Sequence, residues 1–150
     1  MEIKDSGTRR EFESGAVRDI AEGKGRCDLM PLDVVATLKR DQVLYFLAKF
    51  VETKSLSYIY HAVKAFCRKR EWDIDTCMLE VAKHYEEGCK KYGERNWEKG
   101  ISLHCYLDSA TRHYLKWSRG DDDEPHDRAF VWNCLGLIWT ASHRPECNDL

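Results

Sequence analysis

The sequence predicts a mainly α fold: a compact domain of five to six helices over residues 29–150, preceded over residues 1–28 by an extended arm or a short β-hairpin. Three observations carry this reading. From Leu32 onward, apolar side chains recur at three- and four-residue steps, the period of a helix with one buried face. Only 3 prolines and 9 glycines interrupt 150 residues, which suits long helical segments. Residues 1–28 instead carry Ser14-Gly15 and Gly23-Lys24-Gly25, the punctuation of turns between short extended stretches. At 43% hydrophobic residues a chain of this length buries a single core without staples. A formal charge of -2 excludes a duplex nucleic acid partner, which needs a strongly basic face, so any anionic ligand is small.

In the arm, Arg9 to Phe12 and Ala16 to Ile20 are the candidate extended stretches, and Gly-Lys-Gly lacks the GxxxxGK[ST] spacing of a phosphate loop. Pro31 suits the first turn of a helix in which Leu32, Val35 and Leu38 share a side. Asp41 is placed to cap Val43 to Thr53, whose apolar face is Val43, Leu44, Leu47, Phe50 and Val51. Ser55 or Ser57 opens a third helix striped by Leu56, Ile59, Tyr60, Val63, Phe66 and Cys67. Its end, Arg68-Lys69-Arg70, lies at the negative pole of the helix dipole and reads as a solvated turn or a phosphate contact. Asp73 or Asp75 caps a helix running to about Tyr92 and ended by Gly93, with Met78, Ala82, Tyr85, Cys89 and Tyr92 as its seam. Glu86 with Lys90 and Glu87 with Lys91 are i,i+4 pairs contributing about 0.3 kcal/mol each on a solvated face. Ser102 caps Leu103 to Arg119, closed by Gly120, with Tyr106, Ala110, His113 and Trp117 on one seam and His104, Asp108 and Arg112 beside it. An acidic turn and Pro125 start the last helix, buried through Phe130, Val131, Cys134, Leu135, Ile138 and Trp139; its Asn133 requires a hydrogen-bond partner.

Seven cysteines, an odd number with no CxxC, read as free thiols in a reducing compartment. No stretch has the apolar run of a signal peptide or a membrane span, so no membrane partner is expected.

All-helical pyrophosphohydrolases of the MazG type use EExxE and ExxD carboxylates to hold Mg²⁺. Here Glu86-Glu87 is followed by Lys90 at the third position, a cation where a ligand belongs, and the ExxD formed by Glu124 to Asp127 lies far downstream at a helix start. His126-Asp127 is a single HD dipeptide, HExxH is absent, and no Cys/His spacing indicates zinc. Cys105 and His104 are adjacent on a helix, where side chains point apart. His113 fits a satisfied core histidine as well as a ligand, whereas Arg112, held by Asp108, is a platform for stacking a base or gripping a phosphate.

The stretch KYGERNWEKG, too polar for core and too aromatic for an idle loop, joins CDLMPLD, SATRHYLKW and DEPHDRAFVWNCL in a pattern. That pattern, over most of Ala16 to Trp139, resembles the phage proteins labelled dATP/dGTP diphosphohydrolase-like, and within them the Thoeris anti-defence proteins. The resemblance implies a non-catalytic sponge that sequesters a cyclic ADP-ribose isomer, and cyclic oligonucleotides, in pockets shared between protomers. It implies a homo-oligomer, a dimer or higher up to a hexamer, in the cytoplasm of an infected bacterial cell, with no metal and no cofactor. Its site residues would be Tyr85, Arg95, Asn96, Arg112 and Arg128, with Trp97 and His113 beside them and Lys90 near the phosphates. Tyr85 or Trp97 would stack a base, Asn96 read its edge, and the arginines grip pyrophosphate. The alternative is a Mg²⁺-dependent dATP/dGTP pyrophosphohydrolase, with Glu86, Glu87, Asp108, Glu124 and Asp127 as ligands.

Overall fold

Local chemistry sets most boundaries. The computed structural model describes residues 1–150 and contains six helices: α1 Leu32–Lys39, α2 Gln42–Thr53, α3 Ser57–Arg70, α4 Ile74–Tyr92, α5 Leu103–Arg119 and α6 His126–His143. Asp41 caps α2 by accepting from the Leu44 N–H at 2.9 Å, and Asp73 caps α4 by accepting from the Thr76 N–H at 2.7 Å. The serines behave differently. Leu56 occupies the cap position of α3 in helical conformation, the Ser55 and Ser57 hydroxyls bond each other at 2.8 Å, and the first-turn N–H of Tyr58 goes to the Ser55 carbonyl. Ser102 makes no side-chain cap because Asp149, from the far end of the chain, accepts from the His104 N–H at 3.0 Å. Gly93 and Gly120, at φ 90° and 96°, close α4 and α5 in backbone conformations that favour glycine.

The first 28 residues form a hairpin of two short antiparallel strands, β1 Arg9–Glu11 and β2 Val17–Asp19, registered Arg9 to Asp19, Arg10 to Arg18 and Glu11 to Val17. Short 3-10 turns follow at Cys27–Leu29, Asn96–Lys99 and Pro145–Cys147. Helices α5 and α6 make the most extensive pairing; α1 packs on α2 and α2 on α3, and both α3 and α4 pack on α6. Tyr106, Tyr114, Phe66 and Phe130 are fully buried at the centre.

Several expected core positions lie elsewhere. Leu38 is 83% exposed and Tyr60 53% exposed, while Ala36, Ala62 and Ala65 take the inward places. The buried seam of α4 is Cys77, Val81 and His84, with Met78, Ala82 and Cys89 on the outer side. This rotation puts the His84 ring 5.5 Å from Trp132 and lets Glu87 reach Arg128, so neither expected i,i+4 pair forms. On α6, Leu135 and Trp139 are half-buried and Leu137 is enclosed, because this helix is packed on several sides and buries residues all round. Asn133 donates to the Ala129 carbonyl at 2.8 Å and accepts from Arg18 at 3.0 Å. The basic triplet is used structurally: Lys69 binds Asp41 at 2.9 Å and Tyr114 at 2.8 Å, and Arg70 binds Asp127 at 3.1 Å. All seven cysteines are free thiols, and no helix is long and apolar enough to cross a membrane.

Gly136 sits in mid-α6 where a Cβ would stand 2.3 Å from Tyr106 Cε1, so the glycine is there to admit the tyrosine ring. Gly136→Ala should therefore destabilise the fold by about 1–3 kcal/mol despite the gain in helix propensity of about 1 kcal/mol. Urea unfolding followed by circular dichroism tests this; unchanged or raised stability would show that Tyr106 moves aside freely.

Candidate functional site

The N-terminal 28 residues are stitched onto α4, α5 and α6 along their whole length. The Asn96 carboxamide holds β2 at two points, accepting from Val17 N–H at 2.8 Å and donating to Val17 C=O at 2.7 Å. Arg128 donates to the Met1 carbonyl at 2.8 Å, Glu87 accepts from Ile3 N–H at 3.2 Å, and Glu124 accepts from Lys4 N–H at 3.1 Å. Further along, Arg112 donates to the Gly25 carbonyl at 2.8 Å and Asp108 accepts from Cys27 N–H at 2.6 Å.

Between this arm and the helices lies a cavity of about 450 Å³. That is within the range of small-molecule sites, roughly 300–1,000 Å³. Its walls carry Lys4, Arg10, Arg18, Lys24, Lys91, Arg112 and Lys116 against only Asp5, Asp19 and Glu124. Two of those acids are already engaged: Asp5 binds Arg9 in a bidentate pair at 2.6 and 2.9 Å, and Asp19 faces Lys24 at 3.6 Å. Trp132 and Tyr92 add aromatic surface. Four enclosed nitrogens on the lining residues make no hydrogen bond: Arg10 Nε, Arg18 Nη1, Arg112 Nε and His84 Nδ1. Buried polar groups are almost always paired, so this concentration in one cavity marks a surface built for a polar ligand.

Burial shapes the titration here. Arg18, stacked 5.4 Å over Tyr106 and 5.5 Å over Trp132, has its pKa lowered by desolvation, which outweighs the opposing influence of Tyr106 and Cys105. His84 is pushed down to about 3, first by burial and then by Arg128, Arg18 and Lys91. His113 is lowered well below its ordinary value, again by burial and then by His126.

The residues expected to bind ligand divide. Asn96, Arg112 and His113 line the cavity. Tyr85 packs against Trp97 and Trp132, with ring centroids 5.8 Å from each, and Trp97 packs against Trp139 at 4.9 Å. Lys90 is exposed, Arg95 pairs with Glu98 at 2.9 Å on the surface, and Arg128 binds Glu87 at 2.6 Å beneath the arm. Arg18, Arg10 and Lys24 were not expected in the site. A cation inside a short strand, as Arg10 and Arg18 are, gives no periodic signal, and the hairpin's docking brings them to the cavity, with Lys24 at its exposed edge. Cys105 Sγ also lies 3.4 Å from His104 Nε2, contrary to the expectation that adjacent side chains diverge. The start of a helix leaves room for the histidine to fold back toward Asp149, but burial pushes the Cys105 thiol up, so no activated nucleophile results.

The five carboxylates considered for Mg²⁺ do not fit it. Glu87 is held by Arg128, Asp108 by Arg112 and the Cys27 amide, and Asp127 by Arg70, while Glu86 is exposed. Only Glu124 belongs to a group of three potential ligand atoms within 4.8 Å of one another. Its companions are His113 and His126, not other carboxylates. The two histidines face each other Nδ1 to Nδ1 at 2.9 Å, and His126 Nε2 contacts Asp123 at 2.7 Å. Sequence reading missed this grouping because its members are split between α5, the acidic turn and the start of α6.

The fold and site thus define a mainly helical protein with a cationic, hairpin-covered cavity. The chain belongs to the family described as dATP/dGTP diphosphohydrolase, N-terminal, whose model matches residues 74–150. That span covers α4 to α6, the helical wall of the cavity, whereas the hairpin lies outside it. No curated protein and no solved structure matches the chain.

Replacing Asn96 by alanine removes both bonds to Val17 and should cost about 2 kcal/mol, with amide exchange at Val17 and Arg18 accelerating more than exchange in α5. Uniform exchange across the arm and α5 would show that Asn96 does not pin the hairpin. His84 predicts a pH effect. Because its pKa lies near 6.5 unfolded and about 3 folded, the unfolded chain alone takes up a proton between these values. Stability is therefore lost as pH falls from about 6.5 toward 3. In thermal melts across that window, His84→Gln should lose less stability than the parent; parallel curves would deny His84 this role.

Proposed function

We propose that this protein is a nucleotide-capture module, a sponge that holds a compact, multiply charged nucleotide of the cyclic ADP-ribose or cyclic oligonucleotide class without degrading it. The observation that carries the reading is the set of unpartnered nitrogens on Arg10, Arg18, Arg112 and His84 in a single cavity. Guanidinium groups with free N–H suit phosphate oxygens, which accept two parallel bonds, and Trp132 and Tyr92 add aromatic surface to the lining. The dispersal of the carboxylates among arginine partners supports binding over Mg²⁺-assisted hydrolysis. In this role the protein would act as a phage anti-defence factor against a Thoeris-type signal, working as a homo-oligomer.

A second reading, Mg²⁺-dependent hydrolysis of dATP or dGTP, is favoured by the family to which residues 74–150 belong.

One experiment separates the two. The purified protein is incubated with cyclic ADP-ribose isomers, cyclic trinucleotides, dATP and dGTP, with and without Mg²⁺, then filtered, heat-denatured and assayed by mass spectrometry. Recovery of an intact cyclic nucleotide supports capture, while appearance of deoxynucleoside monophosphate only with Mg²⁺ supports the hydrolase. Arg18→Met, which keeps the stem packed on Tyr106 and Trp132 but removes the guanidinium, should weaken capture by about tenfold or more, the loss expected when one charge-assisted bond disappears. Undiminished capture by that variant would remove Arg18 from the site.

A further inference from the structure

We infer that His113, His126 and Glu124 form a binding site for a divalent transition-metal ion of the Zn²⁺ class, with its free coordination position opening into the cationic cavity. This inference does not depend on what the cavity holds; it rests on the converging side chains alone.

The three ligand atoms lie within 4.8 Å of one another and come from α5, from the acidic turn and from the first residue of α6. The two ring nitrogens, Nδ1 of each histidine, are 2.9 Å apart. On a tetrahedral Zn²⁺ with Zn–N bonds of about 2.0–2.1 Å, two nitrogens stand about 3.3–3.4 Å apart. The rings need to separate by only about 0.4–0.5 Å to accept an ion between them. Two imidazoles and a carboxylate are a donor set of intermediate softness, suited to Zn²⁺ and unlike the all-oxygen shell that Mg²⁺ requires.

The surroundings favour this assignment over a simple hydrogen bond between buried rings. Asp123 accepts from His126 Nε2 at 2.7 Å, which fixes the proton there and leaves the Nδ1 lone pair pointing at His113 and Glu124. A carboxylate behind a histidine is the usual outer support of a metal ligand. Glu124 takes the Lys4 backbone N–H on Oε1, leaving Oε2 for an ion. A second grouping, Asp121, Asp123 and His126 Nε2, is less suited, because Arg119 binds Asp121 at 2.8 Å and Lys4 binds Asp123 at 2.6 Å. His113 and Glu124 line the cavity, so a fourth ligand, water or a phosphate oxygen, would approach from that side.

The test uses the full-length protein, stripped with chelator and titrated with Co²⁺ in the absence of any nucleotide. One ion per chain should bind with the visible bands of a tetrahedral nitrogen and oxygen site, and Zn²⁺ should displace it stoichiometrically. Glu124→Gln, at a half-buried position, should abolish the bands while circular dichroism remains unchanged. Asp123→Asn should weaken affinity by about 10–100-fold, as loss of an outer support does. His126→Gln serves as a third variant, but its ring is fully enclosed, so the two acidic substitutions decide the matter. The inference is overturned if Co²⁺ gives no tetrahedral spectrum, if thiolate charge-transfer bands place the ion on cysteine, or if Glu124→Gln and Asp123→Asn leave affinity unaltered.

Discussion

The two-point clasp between the Asn96 carboxamide and the backbone of Val17 is the constraint on which the site depends. A carboxamide can satisfy one residue's backbone completely, N–H and C=O together, and here it does so for the first residue of β2 in an otherwise minimal strand pair. Three residues per strand make too little ladder to stand alone. Once Val17 is fixed, Arg18 must project toward α5 and α6, where Tyr106, Trp132 and Asn133 receive it. The turn around Asn96 that makes the clasp possible begins at Arg95, one of four non-glycine residues held at positive φ. That strain is tolerated because both ends are anchored, by α4 before it and by the Ser14 bond to the Gly100 carbonyl after it.

The electrostatics follow from that closure. Bringing the arm down confines cations from both sides of the cavity; Lys4, Lys24 and Arg112 are matched by Asp123, Asp19 and Asp108, whereas Arg10, Arg18, Lys91 and Lys116 have no carboxylate partner. Glu87, Asp108 and Asp127 each neutralise an arginine and secure an element: the chain start, the Cys27 turn and the end of α3. What remains is a pocket whose positive charge is not internally cancelled, and that is a poor arrangement for stability but a suitable one for an anion. A ligand spanning arm and helices would return the missing hydrogen bonds and hold the arm closed, so binding and arm order would be thermodynamically linked.

Much of the fold was legible in the sequence because it rests on local signals. The capping aspartates, the terminating glycines and the three- and four-residue spacing placed all six helices, and Asn133 announced its need for a partner. The errors have a common physical origin. A seam read from hydrophobicity alone put Ala82 and Cys89 inward on α4, whereas tertiary packing chose His84, a residue whose burial is unfavourable by itself and gains sense only beside Trp132. Serine caps failed where an aspartate 45 positions away, Asp149, reached the helix start instead. In the site, Arg112 was visible as a guanidinium held by Asp108 four residues before it, but Arg10, Arg18 and Lys24 became functional candidates only through the hairpin's docking.

The family match and the cavity together suggest how the two halves of the site divide their work. Residues 74–150 supply the helical wall, including the histidine pair, Glu124 and Arg112, and this wall is what the chain shares with its family. The hairpin and the residues flanking it add four further cations to the lining, Lys4, Arg10, Arg18 and Lys24, of which Arg10 and Arg18 have no carboxylate partner. A wall of histidines and one carboxylate, without the arm, would be open to water and only mildly charged. Covering it excludes solvent, raises the local positive potential and narrows the opening, changes that strengthen retention of a phosphate-bearing ligand but would slow the release of products that turnover requires. What favours capture over catalysis is therefore less any missing catalytic group than the cover itself, which is stitched down at Met1, Ile3, Lys4, Ser14, Val17, Gly25 and Cys27.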